Sequence, residues 1–263
     1  MKLIILAAGK GERLLPLTRN TPKPLLDMGN GCTLLEEQIQ NVEASGVIDE
    51  VVLVIGYLAE QVEAKLKHYQ SRGFKLRTIF NPFYEVSNNL MSLWLARQVF
   101  AEDDAMITNG DNIFSAEVFR GFARDNGEGI FLAVCDKTSF DDDDMKVTIA
   151  DGAIARVSKK IPAVEAQAES PGLSMVRGRR ARSLFLDNLE VLARNRETIG
   201  RFWLETFNSL YDRGVSIRPW KFVSENNWQE VDFHVDLAKA RELLGRIASR
   251  VPRSKSMPPQ GAR

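Results

Sequence analysis

The chain has 263 residues, with 35 Lys plus Arg against 35 Asp plus Glu and a formal net charge of zero. That length is enough for a substantial core, the balanced charge leaves no basic field to gather nucleic acid or anionic lipid, and no apolar run is long enough to span a bilayer. The two cysteines, Cys32 and Cys135, lie far apart and form no ligand cluster, which favours a reduced compartment.

Leu3–Ala7 is an apolar run with β-branched members and reads as a buried strand. At Ala8–Gly9–Lys10–Gly11 it breaks into a glycine-containing loop carrying Arg13, and Lys23 follows in Thr21–Pro22–Lys23–Pro24. Gly9 and Gly11 let a ligand approach the main chain. Amides of such a loop bind anionic oxygens, and Arg13 and Lys23 add a planar fork and a point charge. The stretch suits a polyphosphate, yet it matches neither G-x-G-x-x-G nor G-x-x-x-x-G-K-[ST]. The rival reading is a strand, a tight turn and two solvated cations.

Thr33 and Glu36 form a capping box for a helix with Leu35, Ile39 and Val42 on one face, stopped at Gly46. Val51–Ile55 is a second strand, Ala59–Tyr69 a charged surface helix, and Leu76–Phe80 a third strand closed by Asn81–Pro82. Short strands alternating with helices predict a mostly parallel sheet with helices on both faces. Ser87 or Asn88 caps the next helix. Asn88 and Asn89 are either caps or readers of a base, a ribose or an acceptor phosphate at the carboxyl edge of the sheet. Ala105–Thr108 is a strand delivering Asn109–Gly110–Asp111–Asn112, which makes Asp111 a turn residue or a Mg²⁺ ligand.

Ser115 is placed to cap a helix bearing Val118, Phe119 and Phe122, and Gly129–Val134 is another strand. The Asp141–Asp144 run reads as a solvated loop. Met145–Ile149, the Asp151–Gly152 turn and Ala153–Val157 form a β-hairpin. Ser170–Met175 is a strand crossing the site. Arg177, Arg179, Arg180 and Arg182 form a basic cluster, mostly surface, and Ala181–Arg196 and Phe202–Tyr211 are helices. In Asn227–Phe233, alternation puts Glu230 and Asp232 on one face; carboxylates so paired are exposed, protonated or bound to a cation. A last helix starts at Asp236, and residues 251–263 read as a disordered tail. Neither His68 nor His234 stands in a general-base position.

LAAGKGERLLPLT followed by PKPLL resembles the signature of the nucleotidyltransferases that activate sugar phosphates or phosphorylated alcohols. NPFYEVSNNLMSLWLAR resembles the segment after the third strand in cytidylyltransferases acting on phosphocholine, phosphonates or inositol phosphate. Trp228–Asp232 resembles the W-x-E-[IV]-D closing motif of the cholinephosphate type. The resemblance implies an α/β fold, a Rossmann-like three-layer sandwich with a mostly parallel central sheet and a small β-rich lid. It implies one domain over residues 1–250, with the lid at about 136–180. The activity it implies is Mg²⁺-dependent transfer of CMP from CTP to a phosphocholine or 2-aminoethylphosphonate type of acceptor, releasing pyrophosphate. Inositol phosphate or a sugar 1-phosphate is the alternative acceptor, and a non-catalytic nucleotide-binding sensor is the alternative of another class.

The residues carried over are Arg13, Lys23, Asp111 and Asp232 as catalytic. Leu6, Ala7, Ala8, Gly9, Gly11, Asn88 and Asn89 join Arg13, Lys23 and Asp111 around the nucleotide. Lys146, Ser170, Trp228 and Glu230 are set near the acceptor, with Lys146 equally readable as a solvated strand lysine. Asp111, Asp232 and Glu230 are the metal ligands. The partners are CTP and a small phosphorylated or phosphonylated acceptor, without nucleic acid or membrane insertion; a homodimer stays open. The first strand begins at Leu3 with no leader of signal-peptide shape, which predicts a cytoplasmic protein.

Overall fold

The structure is a computed structural model that describes residues 1–71 and 73–250; the tail read at 251–263 lies outside the described residues. Strand β1 (Lys2–Ala7) buries Leu3, Ile4, Ile5 and Leu6, so it needs apolar cover on both faces. A long loop leads to helix α1 (Leu34–Ser45), which starts with the expected box. Thr33 accepts from the Glu36 amide, the Glu36 carboxylate accepts from the Thr33 amide, and Gly46 closes the helix in the left-handed region. Then come β2 (Glu50–Ile55), α2 (Ala59–Ser71), β3 (Leu76–Phe80), α3 (Asn89–Leu95), the short α4 (Val99–Glu102) and β4 (Ala105–Asn109). The chain continues through β5 (Asn112–Phe114), α5 (Ala116–Asp125), β6 (Gly129–Val134), β7 (Lys146–Ala150), β8 (Ala153–Ser158), β9 (Ala168–Glu169) and β10 (Leu173–Arg177). It ends with α6 (Arg179–Ala193), α7 (Thr206–Asp212), β11 (Ile217–Lys221), β12 (Trp228–Glu230) and α8 (His234–Arg250).

The main sheet runs β11-β6-β10-β4-β1-β2-β3. Strand β10 is antiparallel to both neighbours, and the other pairs are parallel. Alternation along β1 divides the core. Ile4 and Leu6 pack with Leu90, Leu93, Phe100, Phe185 and Phe207 from α3, α4, α6 and α7. Leu3 and Ile5 pack with Leu35, Ile39, Val62, Leu66 and Phe122 from α1, α2 and α5. The result is a three-layer, Rossmann-like α/β sandwich. A third apolar cluster joins Leu14, Leu26 and Met28 of the loop after β1 to Ile113, Val231 and α8 residues Leu237 and Leu244. It ties that loop to the far end of the chain.

Several local expectations are corrected. Ser115 stands at the start of α5 without capping it; its hydroxyl donates to Asn227 Oδ1 at 3.0 Å. The helix expected over Phe202–Tyr211 splits into a 3-10 turn at Trp203–Glu205 and then α7. The arginine cluster does lie mostly at the surface, with Arg179 and Arg180 exposed, while Arg177 donates to the carbonyls of Ala123 and Asn126 and Arg182 lies 3.4 Å from Asp104.

A small sheet, β8-β7-β9, forms the lid and meets the end of β6 through a bridge between Cys135 and Glu169. The Asp141–Asp144 loop is not simply solvated, because Asp144 is buried and ion-paired with Lys137. Asp141 Oδ1 accepts from the amides of Asp143 and Asp144. Glu169 lies 3.5 Å from Lys137 and beside Asp144. Burial, which Lys137 offsets only in part, and the neighbouring Asp144 push the Glu169 carboxyl from an ordinary 4.5 to about 7.

The folded protein therefore binds a proton that the unfolded chain releases between those values, so Glu169 makes stability fall as pH rises through that window. Replacing Glu169 with glutamine removes this dependence while keeping a donor for Asp144. One pKa unit is about 1.4 kcal/mol, and about 1 kcal/mol moves the midpoint of a domain this size by about 2–4 °C. Thermal melts should show Glu169→Gln gaining several degrees more over the parent at pH 8 than at pH 5. An equal gain at both pH values would contradict the assignment.

Candidate active site

Strands β1 and β4 lie side by side with Leu6 opposite Asn109. A cavity of about 350 Å³ opens over their carboxyl ends, the edge at which parallel sheets bind ligands. Leu6, Ala7, Ala8, Gly9, Gly11, Arg13 and Lys23 line it from the β1 side. Asn88, Asn89, Asp111, Ser170, Trp228, Glu230 and Asp232 complete the set brought together from the sequence. Lys146 is the exception and is corrected here. It is buried at the start of β7 and donates to the Asp141 carbonyl at 2.6 Å, away from the cavity wall.

The loop after β1 is built for close approach. Gly11 has φ +66°, and a Cβ there would stand 3.1 Å from Thr18 Cγ2 and 3.2 Å from Lys23 Cβ. Thr18 Oγ1 donates to the Gly11 carbonyl at 2.8 Å, which folds the loop back on itself. At Gly9 a Cβ would meet no protein atom within 4 Å; the space it leaves belongs to the cavity. Lys23 opens a 3-10 turn and is 9% exposed.

Lys23 Nζ lies 3.0 Å from Asp111 Oδ2 and 3.1 Å from Asp232 Oδ1. Arg13 takes the other oxygen of Asp232 and reaches Asp143 at 3.2 Å. The two aspartates are also tied through the backbone. Strand β12 runs antiparallel to β5 with Glu230 opposite Asn112, and the Val231 amide donates to the Asp111 carbonyl at 2.9 Å. Val231 is buried in the third core cluster, so Glu230 and Asp232 on either side of it are held at the cavity.

Burial alone would discharge Lys23, but Asp111 and Asp232 more than offset it and hold the ammonium above its ordinary range. Burial likewise disfavours the Asp232 carboxylate, and Lys23 and Arg13 overcome it, leaving Asp232 below its ordinary range. Glu230 goes the other way. Glu230 is exposed at the end of β12, yet the surrounding cavity walls and the charges of Asp111 and Asp232 push its carboxyl upward, against a weaker pull from Lys23 and Lys159. The cluster thus has more carboxylate than its cations satisfy. An all-oxygen set of this kind fits a hard divalent ion such as Mg²⁺. Among the described residues no three acidic, histidine or cysteine side chains form a metal cage unaided.

Asn88 caps α3, its Oδ1 accepting from the Asn89 amide at 2.8 Å. Asn89 Oδ1 accepts from the Trp203 amide at 2.8 Å. Both asparagines are therefore held by protein partners at the cavity wall. The sequence reading missed Asn109, Lys159 and Phe202, which also line the cavity. Lys159 follows β8 and lies 3.3 Å from Asp143, in the stretch whose hydrophobic pattern is least informative.

The nucleotidyl transferase family profile matches residues 2–139. Choline-phosphate cytidylyltransferase of Streptococcus pneumoniae is 38% identical over 120 residues, covering 46% of this chain and 48% of that protein. The bifunctional IPC transferase and DIPP synthase of Rubrobacter xylanophilus is 29% identical over 259 residues, covering 93% of this chain and 52% of that protein. The chain thus spans about half the length of these curated relatives. The solved CTP:phosphocholine cytidylyltransferase from Streptococcus pneumoniae superposes with a TM-score of 0.69 at 26% identity, covering 92% of this chain and 98% of that one. With more than half of its length matched by the profile, and its glycine loop and acidic pair meeting at one sheet edge, the chain belongs to the nucleotidyl transferase family.

Proposed function

We propose that this protein is an enzyme that transfers CMP from CTP to a small phosphorylated or phosphonylated alcohol or amine, releasing pyrophosphate. The observation that carries the reading is the Lys23 ammonium lodged between Asp111 and Asp232, its stem packed against Gly11 of the loop after β1. In the reaction an acceptor oxygen bonds to the α-phosphorus while the bond from that phosphorus to the bridging oxygen breaks, and pyrophosphate leaves with the electron pair. A phosphate or phosphonate oxygen is already anionic near neutral pH, so no general base is needed. Among the described side chains no histidine lines the cavity.

Catalysis in such a site is positioning and charge neutralisation. The amides of the Gly9–Gly11 loop take phosphate oxygens. Arg13 turns from Asp232 and Asp143 to the outer phosphates, a planar fork suited to them. Lys23 stays at the floor and faces the α-phosphate as charge builds on it. Lys159, from the lid side, faces the acceptor's anionic group. Asp111 and Asp232, with Glu230 beside them, would hold Mg²⁺, which when bound supplies charge neutralisation and alignment of the two phosphorus-bound oxygens.

CTP and a phosphocholine or 2-aminoethylphosphonate type of acceptor are supported by the likeness to choline-phosphate cytidylyltransferase. An inositol phosphate is the second reading, favoured by the alignment to the bifunctional IPC transferase over nearly the whole chain.

Pyrophosphate release measured with each nucleoside triphosphate against phosphocholine, 2-aminoethylphosphonate, inositol 1-phosphate and glucose 1-phosphate should select CTP and one of the first three. Binding of CTP without release for any acceptor would instead indicate a sensor. Replacing Lys23 with alanine should lower turnover about a hundredfold or more, the scale seen when one preorganised electrostatic partner is lost. The circular dichroism of the variant should match the parent; near-normal turnover would take Lys23 out of the chemistry.

A further inference from the structure

Two asparagines flank Gly110–Asp111, and each is met by a tryptophan. Trp228 Nε1 donates to Asn112 Oδ1 at 2.7 Å, and Trp203 Nε1 donates to Asn109 Oδ1 at 2.8 Å. An indole nitrogen can only donate, so each amide is fixed with its oxygen toward the ring. A second donor agrees at Asn109. The Trp203 amide occupies Asn89 Oδ1, which leaves the Asn89 NH₂ facing Asn109 Oδ1 at 3.4 Å. The orientation of Asn109 therefore follows from two donor-only groups, the backbone N–H and the indole N–H of Trp203, and not from a free choice of amide flip. Trp203 itself is 0% exposed and cannot turn away.

The two NH₂ groups then part ways. Asn112 Nδ2 donates to Asp111 Oδ1 at 3.3 Å and steadies that carboxylate. Asn109 Nδ2 makes no hydrogen bond among the described residues, and Asn109 lines the cavity. Opposite it stands Gly172, with φ +74°, where a Cβ would come within 3.0 Å of Asn109 Nδ2. Any side chain at 172 would therefore crowd this amide, whose two N–H groups meet no acceptor among the described residues. Gly172 leads into β10, on the side of β4 away from β1 and its phosphate loop.

We propose that Asn109 is a specificity-determining residue that donates to a non-reacting phosphoryl or phosphonyl oxygen of the acceptor, with Trp203 and Asn89 as its positioning residues. The inference rests on the transferase reading above. An oxygen lone pair is the chemistry this amide can take. It cannot hold the acceptor's cation, since its carbonyl oxygen is already doubly engaged.

The test is steady-state pyrophosphate release by the full chain, with the acceptor on which the parent turns over and with CTP, each varied in turn. Asn109→Ala should raise KM for the acceptor at least about tenfold, the scale of a hydrogen bond to a charged group, while KM for CTP stays within about twofold. Trp203→Phe keeps a ring but removes the indole N–H, and should give a smaller rise in the same parameter. If Asn109→Ala does not fold, Asn109→Ser, which leaves Trp203 Nε1 a small polar partner, carries the same expectation. An unchanged acceptor KM overturns the proposal. A rise confined to CTP also overturns it, because the donor would then serve the nucleotide's ribose. A parent inactive with every acceptor is a different result, which removes the transferase reading itself.

Discussion

The arrangement depends on one ammonium. Asp111 and Asp232 come from distant parts of the chain and would repel each other in an enclosed site. Lys23, within about a hydrogen bond of both, makes their convergence tolerable. A buried charge cluster is costly unless it is paired and fixed. Here the fixing is apolar: Leu26, whose amide donates to the Lys23 carbonyl, and Val231, next to the second aspartate, share one core cluster. The same cluster gathers the last helix, so the chain's end is part of the site's foundation.

From this follows the division of labour. The central sheet supplies a level edge where β1 and β4 end together. The loop after β1 supplies open backbone and cations, and the lid supplies Lys159, Ser170 and the Asp143 carboxylate. Arg13 touches both halves, pairing with Asp232 on one side and Asp143 on the other. Its guanidinium therefore links the loop before β7 to the acidic pair.

Much of this was legible because the signals were local. A β-branched run, a glycine loop, a box at Thr33–Glu36 and alternation at the chain's end each depend on neighbours a few residues apart, and each appears where read. What was not legible depends on distant partners. Nothing near Asn89 announces that its amide is spent on Trp203 and Asn109. A strand lysine such as Lys146 looks solvated until the loop carbonyl of Asp141 is folded onto it. Asp144 sits in a run of like charges that usually marks solvent, yet Lys137 draws it inside. Lys159 lies in a stretch without periodicity, and its place on the cavity wall appears only in the folded chain.

The central claim is that Asp111 and Asp232 serve a cation and a phosphate chain together, with Lys23 giving way to neither. A crystal structure of the full chain soaked with CTP and Mn²⁺, with the metal located by its anomalous signal, tests this most directly. The account predicts a metal peak at direct coordination distance, about 2.1 Å, from oxygens of both aspartates, with the triphosphate over Gly9–Gly11. A peak remote from that pair, or a nucleotide seated elsewhere while Lys23 still bridges two metal-free carboxylates, would contradict it.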